Sequence, residues 1–155
     1  MKNNVTRLLD QRKIKYTLFE LPAEKLGAEA TAEMLGASPE IVFKTIVIKR
    51  EDRGKLILAV VPGNQEVDLK LLAKAVGEKK VYLTTQKEAE GLTKLQAGGI
   101  SPLALLNRGF QVVIDDSAQG HDEIHVSGGQ RGLNVRLPVK DLVKLTNARL
   151  AEISR

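Results

Sequence analysis

Two runs of aliphatic and β-branched residues, Val42 to Lys49 and Lys55 to Val61, stand on either side of the turn signal Glu51-Asp52-Arg53-Gly54. Such residues fit a pleated, half-buried surface, and a short glycine-containing break between two such runs makes an antiparallel hairpin the local solution. A lone hairpin is only marginally stable in water. The rest of the chain must therefore add strands to this one or cover it.

The flanking segments supply both. Asn3 or Asn4 caps a first helix with Val5, Leu8 and Leu9 on one face, and Tyr16 to Leu21 reads as a strand stopped by Pro22. A second helix covers Glu29 to Leu35, with Gly36 as its left-handed exit and Ser38-Pro39 as the following turn. After the hairpin, Asp68 caps a helix whose apolar face is Leu69, Leu72, Ala73 and Val76, closed by Gly77, and Val81 to Thr84 is a short strand. Thr85 and Glu88 stand at capping-box spacing and open a further helix, beyond which Gly98 to Pro102 is a loop and Leu103 to Leu106 a helical turn. Gln111 to Asp115, Glu123 to Val126 and Leu133 to Leu137 are three more strands, and Pro138 starts a last helix through Thr146. This order lacks a regular strand-helix alternation. It predicts an α+β fold, a mixed and largely antiparallel sheet curled toward a barrel with surrounding helices. With 155 residues and neither repeat nor linker, the chain is expected to form one domain over 1–155.

Composition narrows the chemistry. The chain has no cysteine, which removes disulfides, a thiolate nucleophile and Cys-ligated metals. No apolar run approaches the ~20 residues needed to cross a bilayer, and Met1 to Asp10 lacks the order of a signal peptide, so a cytoplasmic location and no membrane contact are expected. Twenty-four Lys and Arg against nineteen Asp and Glu leave a net charge of +5, a mild attraction toward polyanions. Three Phe, two Tyr and no Trp argue against a surface that stacks several bases.

Few residues stand out as chemical. Strand alternation puts Lys44 on the same face as Val42, Ile46 and Ile48, where an ammonium must either reach water or serve a polar pocket with an anionic or carbonyl partner. His121 and His125 share the face of an extended segment but stand ~13 Å apart at ~3.3 Å per residue, too far to share a metal ion, which leaves surface or hydrogen-bonding roles. Asp115-Asp116 reads as a strand-end turn, because adjacent residues on an extended chain point to opposite faces. No Walker loop, nucleophile elbow, dinucleotide fingerprint or helix-turn-helix is present. Two glycine loops remain, Gly98 to Pro102 and Ser127-Gly128-Gly129 followed by Gly132, either plain turns or places where backbone N–H groups approach a ligand.

In combination, Phe43-Lys44-Thr45, Gly98-Gly99-Ile100-Ser101-Pro102-Leu103 and Val126-Ser127-Gly128-Gly129-Gln130-Arg131-Gly132-Leu133 resemble the three sequence blocks of the YbaK and EbsC family, over about Val5 to Thr146. These are bacterial aminoacyl-tRNA deacylases similar to the editing domain inserted in bacterial prolyl-tRNA synthetases. The resemblance implies that Lys44 is the residue on which activity depends. It further implies that Gly98, Gly99, Ile100, Ser101 and Pro102 line the site of the aminoacyl ester, with Thr45 and Ser127 beside them. The family often has Asp after Gly-Leu, where this chain has Asn134, and aromatic residues where it has Leu21 and Leu26. Pro62 to Val67, with Asn64, is similar to the Gly-Asp-x-Glu segment of the synthetase-inserted domain and of related alanine-editing deacylases.

What the resemblance implies is a trans-editing deacylase for Cys-tRNA(Pro). The alternatives are removal of alanine or another small mischarged residue, or a non-catalytic module that binds tRNA or a synthetase. The expected partners are the acceptor end of mischarged tRNA and a prolyl-tRNA synthetase, with no DNA, no cofactor and no metal.

Overall fold

The computed structural model describes residues 3–24, 27–51 and 54–155. The hairpin forms as the sequence dictates: β2 (Phe43–Arg50) runs antiparallel to β3 (Ile57–Pro62), with Phe43 opposite Pro62 and Ile48 opposite Ile57. All of β3 is buried, the expected outcome for a strand flanked on both edges and covered on both faces. Its second neighbour is β5 (Gln111–Asp115), which is parallel and in turn pairs in parallel with β8 (Arg149–Ala151). β4 (Val81–Leu83) adds to the other edge of β2, giving a five-stranded sheet in the order β4-β2-β3-β5-β8.

A second, three-stranded antiparallel sheet has the order β1-β7-β6, from β1 (Thr17–Glu20), β6 (Glu123–Ser127) and β7 (Leu133–Pro138). A single bridge between Val42 and His125 links the two sheets. The mixed, largely antiparallel α+β fold is thus present, while the pairing pattern by itself does not establish the curl toward a barrel.

Helix ends follow local chemistry. In α1 (Asn4–Gln11) Thr6 N–H donates to Asn3 Oδ1 (3.0 Å) and Asn3 N–H to Thr6 Oγ1 (2.8 Å), satisfying two amides that have no intrahelical acceptor. The same reciprocal arrangement between Thr85 and Glu88 opens α4 (Gln86–Thr93). α2 (Ala28–Leu35) and α3 (Leu69–Val76) end on Gly36 and Gly77, and α5 (Val139–Thr146) follows Pro138. Among the described residues no helix is long and apolar enough to cross a membrane.

Alternation along β2 and β3 divides the core in two. Val47, Leu58 and Val60 join Val5, Leu9, Ile124, Val126, Val135 and Leu142 in the larger cluster, between the sheets. Ile48, Ala59 and Val61 face the other way and are covered by Leu72 and Ala73 of α3 and by Ile153. Each fully buried Leu or Ile contributes on the order of 2 kcal/mol, so both faces of the central sheet are held by burial.

Two features lie beyond the sequence reading. The three-residue strand β8 is too short to show a pattern of its own, and its parallel partner β5 lies more than thirty residues away in the chain. Asp115 is more than a turn residue: it is buried, accepts Ser117 Oγ–H (2.5 Å) and Ile153 N–H (2.9 Å), and so ties the C-terminal segment to the sheet. Burial by itself would raise its pKa, but these hydrogen bonds outweigh burial and hold the carboxyl below the usual aspartate value.

Candidate active site

The first half of β2, still paired with β3, lines a cleft of about 340 Å³. Its walls come from the segment around Leu21 and the first turn of α2, from Phe43 to Val47, from the N-terminus of α4, from Ala97, Gly98 and Ile100, and from Ser127 with Gly132 to Asn134. Seven of the residues singled out from sequence line it together: Leu21, Lys44, Thr45, Gly98, Ile100, Ser127 and Asn134.

Lys44 shares its face with Ile46 and Ile48, as alternation requires, but those two pack toward the second core while the lysine reaches outward along the cleft rim. Its side chain is 23% exposed, and Nζ lies 3.3 Å from Glu66 Oε1 and 3.5 Å from Gly63 O. The Glu66 side chain is 83% exposed, so this ion pair is largely screened by water and contributes little to stability. An anionic or carbonyl oxygen in the cleft can therefore compete for the ammonium at small cost.

The loop opposite is held from behind. Arg131 Nε–H donates to Ala97 O (2.7 Å), and Ser127 Oγ–H donates to Gly98 O (3.4 Å). Among the described residues the backbone N–H groups of Gly98 and Ile100 have no protein acceptor. Two unpaired amides lining a cleft are available to an incoming oxygen.

Asn134 is 5% exposed, and its Oδ1 lies 2.8 Å from Nδ1 of His125, itself 2% exposed. Burial lowers the His125 pKa below its ordinary value, against the opposing effect of the Asn134 hydrogen bond. The ring is therefore neutral at physiological pH.

Four of the other residues expected at the site do not line the cleft. Ser101 and Pro102 are buried behind it, where Ser101 Oγ accepts Leu103 N–H (3.2 Å) and so fixes the loop from within. Gly99 packs against the 130 region, where a Cβ would come within 2.8 Å of Gln130 Cα. Asn64 is exposed in the turn after β3; of its segment, Gly63 and Glu66 are the residues that meet Lys44. Leu26 lies outside the described residues. The sequence reading in turn missed Thr31, Thr84 and Gln86 in the wall. Thr31 and Thr84 bond backbone carbonyls, as ordinary helix and strand-end residues do, so nothing in their local sequence marks them.

The model of the aminoacyl-tRNA editing domain family matches residues 23–145. The chain belongs to that family. It is similar, at 39% identity over 99% of its length and 93% of the relative's, to EbsC of Enterococcus faecalis, named as a Cys-tRNA(Pro)/Cys-tRNA(Cys) deacylase. It is 26% identical to the prolyl-tRNA editing protein ProX of Acetoanaerobium sticklandii, over 95% of this chain and 91% of that one. A crystal structure described as a trans-editing enzyme for prolyl tRNA synthetase superposes with a TM-score of 0.81 at 27% identity, covering 100% of this chain and 99% of the other. The editing-domain match takes in the cleft lining except Leu21 and Pro22, which stand just before it.

Proposed function

We propose that this protein is a trans-editing aminoacyl-tRNA deacylase that cleaves the ester of mischarged tRNA, Cys-tRNA(Pro) first among its substrates. The observation that carries the reading is one cleft lined both by Lys44 and by a loop with two amides unpaired among the described residues. An aminoacyl ester is already activated, so holding it and stabilising the oxygen on which charge develops is most of what catalysis requires. In this reading the Lys44 ammonium leaves Glu66 for the ester or the terminal phosphate. The amides of Gly98 and Ile100 receive the carbonyl oxygen, and Thr45, Ser127 and Asn134 orient the rest.

With cysteine attached, the substrate's own thiol attacks the carbonyl carbon, and the bond to the ribose oxygen breaks as that oxygen takes a proton. The amino acid then departs as a cyclic thiolactone, a lyase-type outcome. With alanine, water must add instead, and the products are free alanine and tRNA, a hydrolase-type outcome. The apolar wall contributed by Leu21, Ala28, Ile100 and Leu133 accepts a thiol or a methyl group, which favours both substrates over serine. A prolyl-tRNA synthetase would present the substrate in the cytoplasm.

The test is a deacylation assay on proline tRNA charged in turn with Cys, Ala, Ser and Pro. Cys-tRNA(Pro) should lose its ester fastest, and Lys44→Ala should slow that loss at least tenfold, since a single transition-state donor is worth ~2.7 to 4 kcal/mol. Identification of the released cysteine as thiolactone or free acid separates the two outcomes. Unchanged turnover in the Lys44 variant would overturn the assignment of that residue, and binding of charged tRNA without cleavage would overturn the enzyme.

A further inference from the structure

His125 is the one buried imidazole among the described residues, and nothing in the proposed chemistry uses it. It projects from β6 on the face opposite Ile124 and Val126, which point into the main core. Its backbone is bridged to Val42, immediately before the Phe43-Lys44-Thr45 segment, and its ring packs against Phe19 with centroids 5.4 Å apart. Backbone and ring are thus both held.

The 2.8 Å contact from His125 Nδ1 to Asn134 Oδ1 defines the polarity of the pair. A carboxamide oxygen only accepts, so Nδ1 carries the proton. An asparagine free to turn about its last bond presents either an oxygen or an NH2 group to the same place. Here Oδ1 is taken by the imidazole, so the NH2 group must point the other way. Asn134 Nδ2 has no protein acceptor among the described residues, yet the one fully buried side-chain polar atom without a hydrogen bond there is Arg136 Nε, which has Glu123 Oε1 at 3.4 Å as an ion-pair partner. Nδ2 is therefore open to solvent, and the cleft is the space that Asn134 lines.

We propose that His125 is a positioning residue that locks the Asn134 carboxamide with its NH2 group facing the cleft, so that this wall offers a hydrogen-bond donor to an ester or ribose oxygen of the substrate. The inference rests on the deacylase reading and extends it. It gives the cleft a third donor beside the loop amides, and it makes the wall at this point one that selects acceptor atoms and rejects an ammonium group.

Three variants and two spectroscopic measurements test it. Asn134→Asp keeps an oxygen for His125 but removes the NH2 group, and kcat should fall about a hundredfold, the loss expected for one such donor. His125→Phe keeps a ring against Phe19 but frees the carboxamide to turn; kcat should fall about tenfold, with KM nearly unchanged. His125→Asn, whose amide nitrogen can take the place of Nδ1, should recover most of that rate. Equal losses in the Phe and Asn variants, or an Asn134→Asp enzyme of full activity, would overturn the proposal. Independently of turnover, long-range nitrogen-15 correlation spectra should show the His125 proton on Nδ1. The Asn134 NH2 signals should shift on titration with the non-hydrolysable alanyl amide of 3′-amino-3′-deoxyadenosine. A proton on Nε2, or unmoved NH2 signals, would also overturn it. If the wild type cleaves no aminoacyl ester, it is the deacylase reading that fails, and the spectra alone then decide the orientation.

Discussion

Gly98 and Gly129 have nearly the same φ, +90° and +95°, and the two loops that carry them meet at the same cleft, yet they serve it differently. Gly129 is hemmed in: a Cβ there would stand 3.0 Å from Val5 Cγ2 and 3.2 Å from Ala104 Cβ. The neighbouring Gly128 is tied by its N–H to Leu133 O (2.9 Å) and by its carbonyl to Asn3 Nδ2 (2.8 Å). Gly98 is exposed, its N–H is unpaired among the described residues, and its carbonyl takes one long bond from Ser127. Gly129 allows close packing, and Gly98 leaves a backbone donor uncovered. Ser127 joins the two, accepting Gly129 N–H (3.3 Å) while donating to Gly98.

That contrast can be broken by substitution. Gly129→Ala should cost about 2 to 3 kcal/mol, left-handed strain plus crowding against Val5 and Ala104, and urea unfolding should show it as a lower midpoint with deacylation of the folded fraction largely kept. Gly98→Ala should cost only about 1 to 2 kcal/mol in strain while slowing deacylation about tenfold, because the loop must shift the amides it presents. Should Gly98→Ala lower the midpoint more, and Gly129→Ala the rate more, the division between packing glycine and donor glycine is wrong.

The smallest effect concerns the third donor on the opposite wall. The folded pKa of His125 lies below its ordinary value of 6.5 because burial disfavours the charged ring. Between the folded value and the unfolded one, the unfolded chain binds a proton that the native protein does not. Stability from this group is therefore complete above the unfolded pKa and falls as pH drops toward the folded one. Thermal melts from about pH 7.5 to about pH 5 should show a decline in the wild type that is shallower in His125→Phe. Parallel curves would mean that the imidazole is not held neutral.

Much of the fold could be read from local signals. The caps at Asn3, Asp68 and Thr85, the exits at Gly36 and Gly77 and the hairpin around Val42 to Val61 all rest on residues within a few positions of one another, and all are present. β8 escaped because three residues carry no period, and only the distant edge of β5 makes them a strand. Lys44 could be picked out as an anomaly on an apolar face, and the structure gives it partners, Glu66 and Gly63, that lie about twenty positions on across the hairpin. His125 read as a surface or hydrogen-bonding residue. Its burial depends on Phe19 and Asn134, themselves paired across β1 and β7 and brought beside it on the same side by the β1-β7-β6 order.

The sequence by itself determined where elements begin and end, which face of each is apolar and which few residues are chemically out of place, because those properties act over one turn or one pleat. Tertiary structure alone decided which loop amides go unpaired, which carboxylate answers Lys44 and which way the Asn134 carboxamide faces. Each of these is a distance between atoms from different elements, and no spacing along the chain encodes such a distance until the sheets have closed on their shared core.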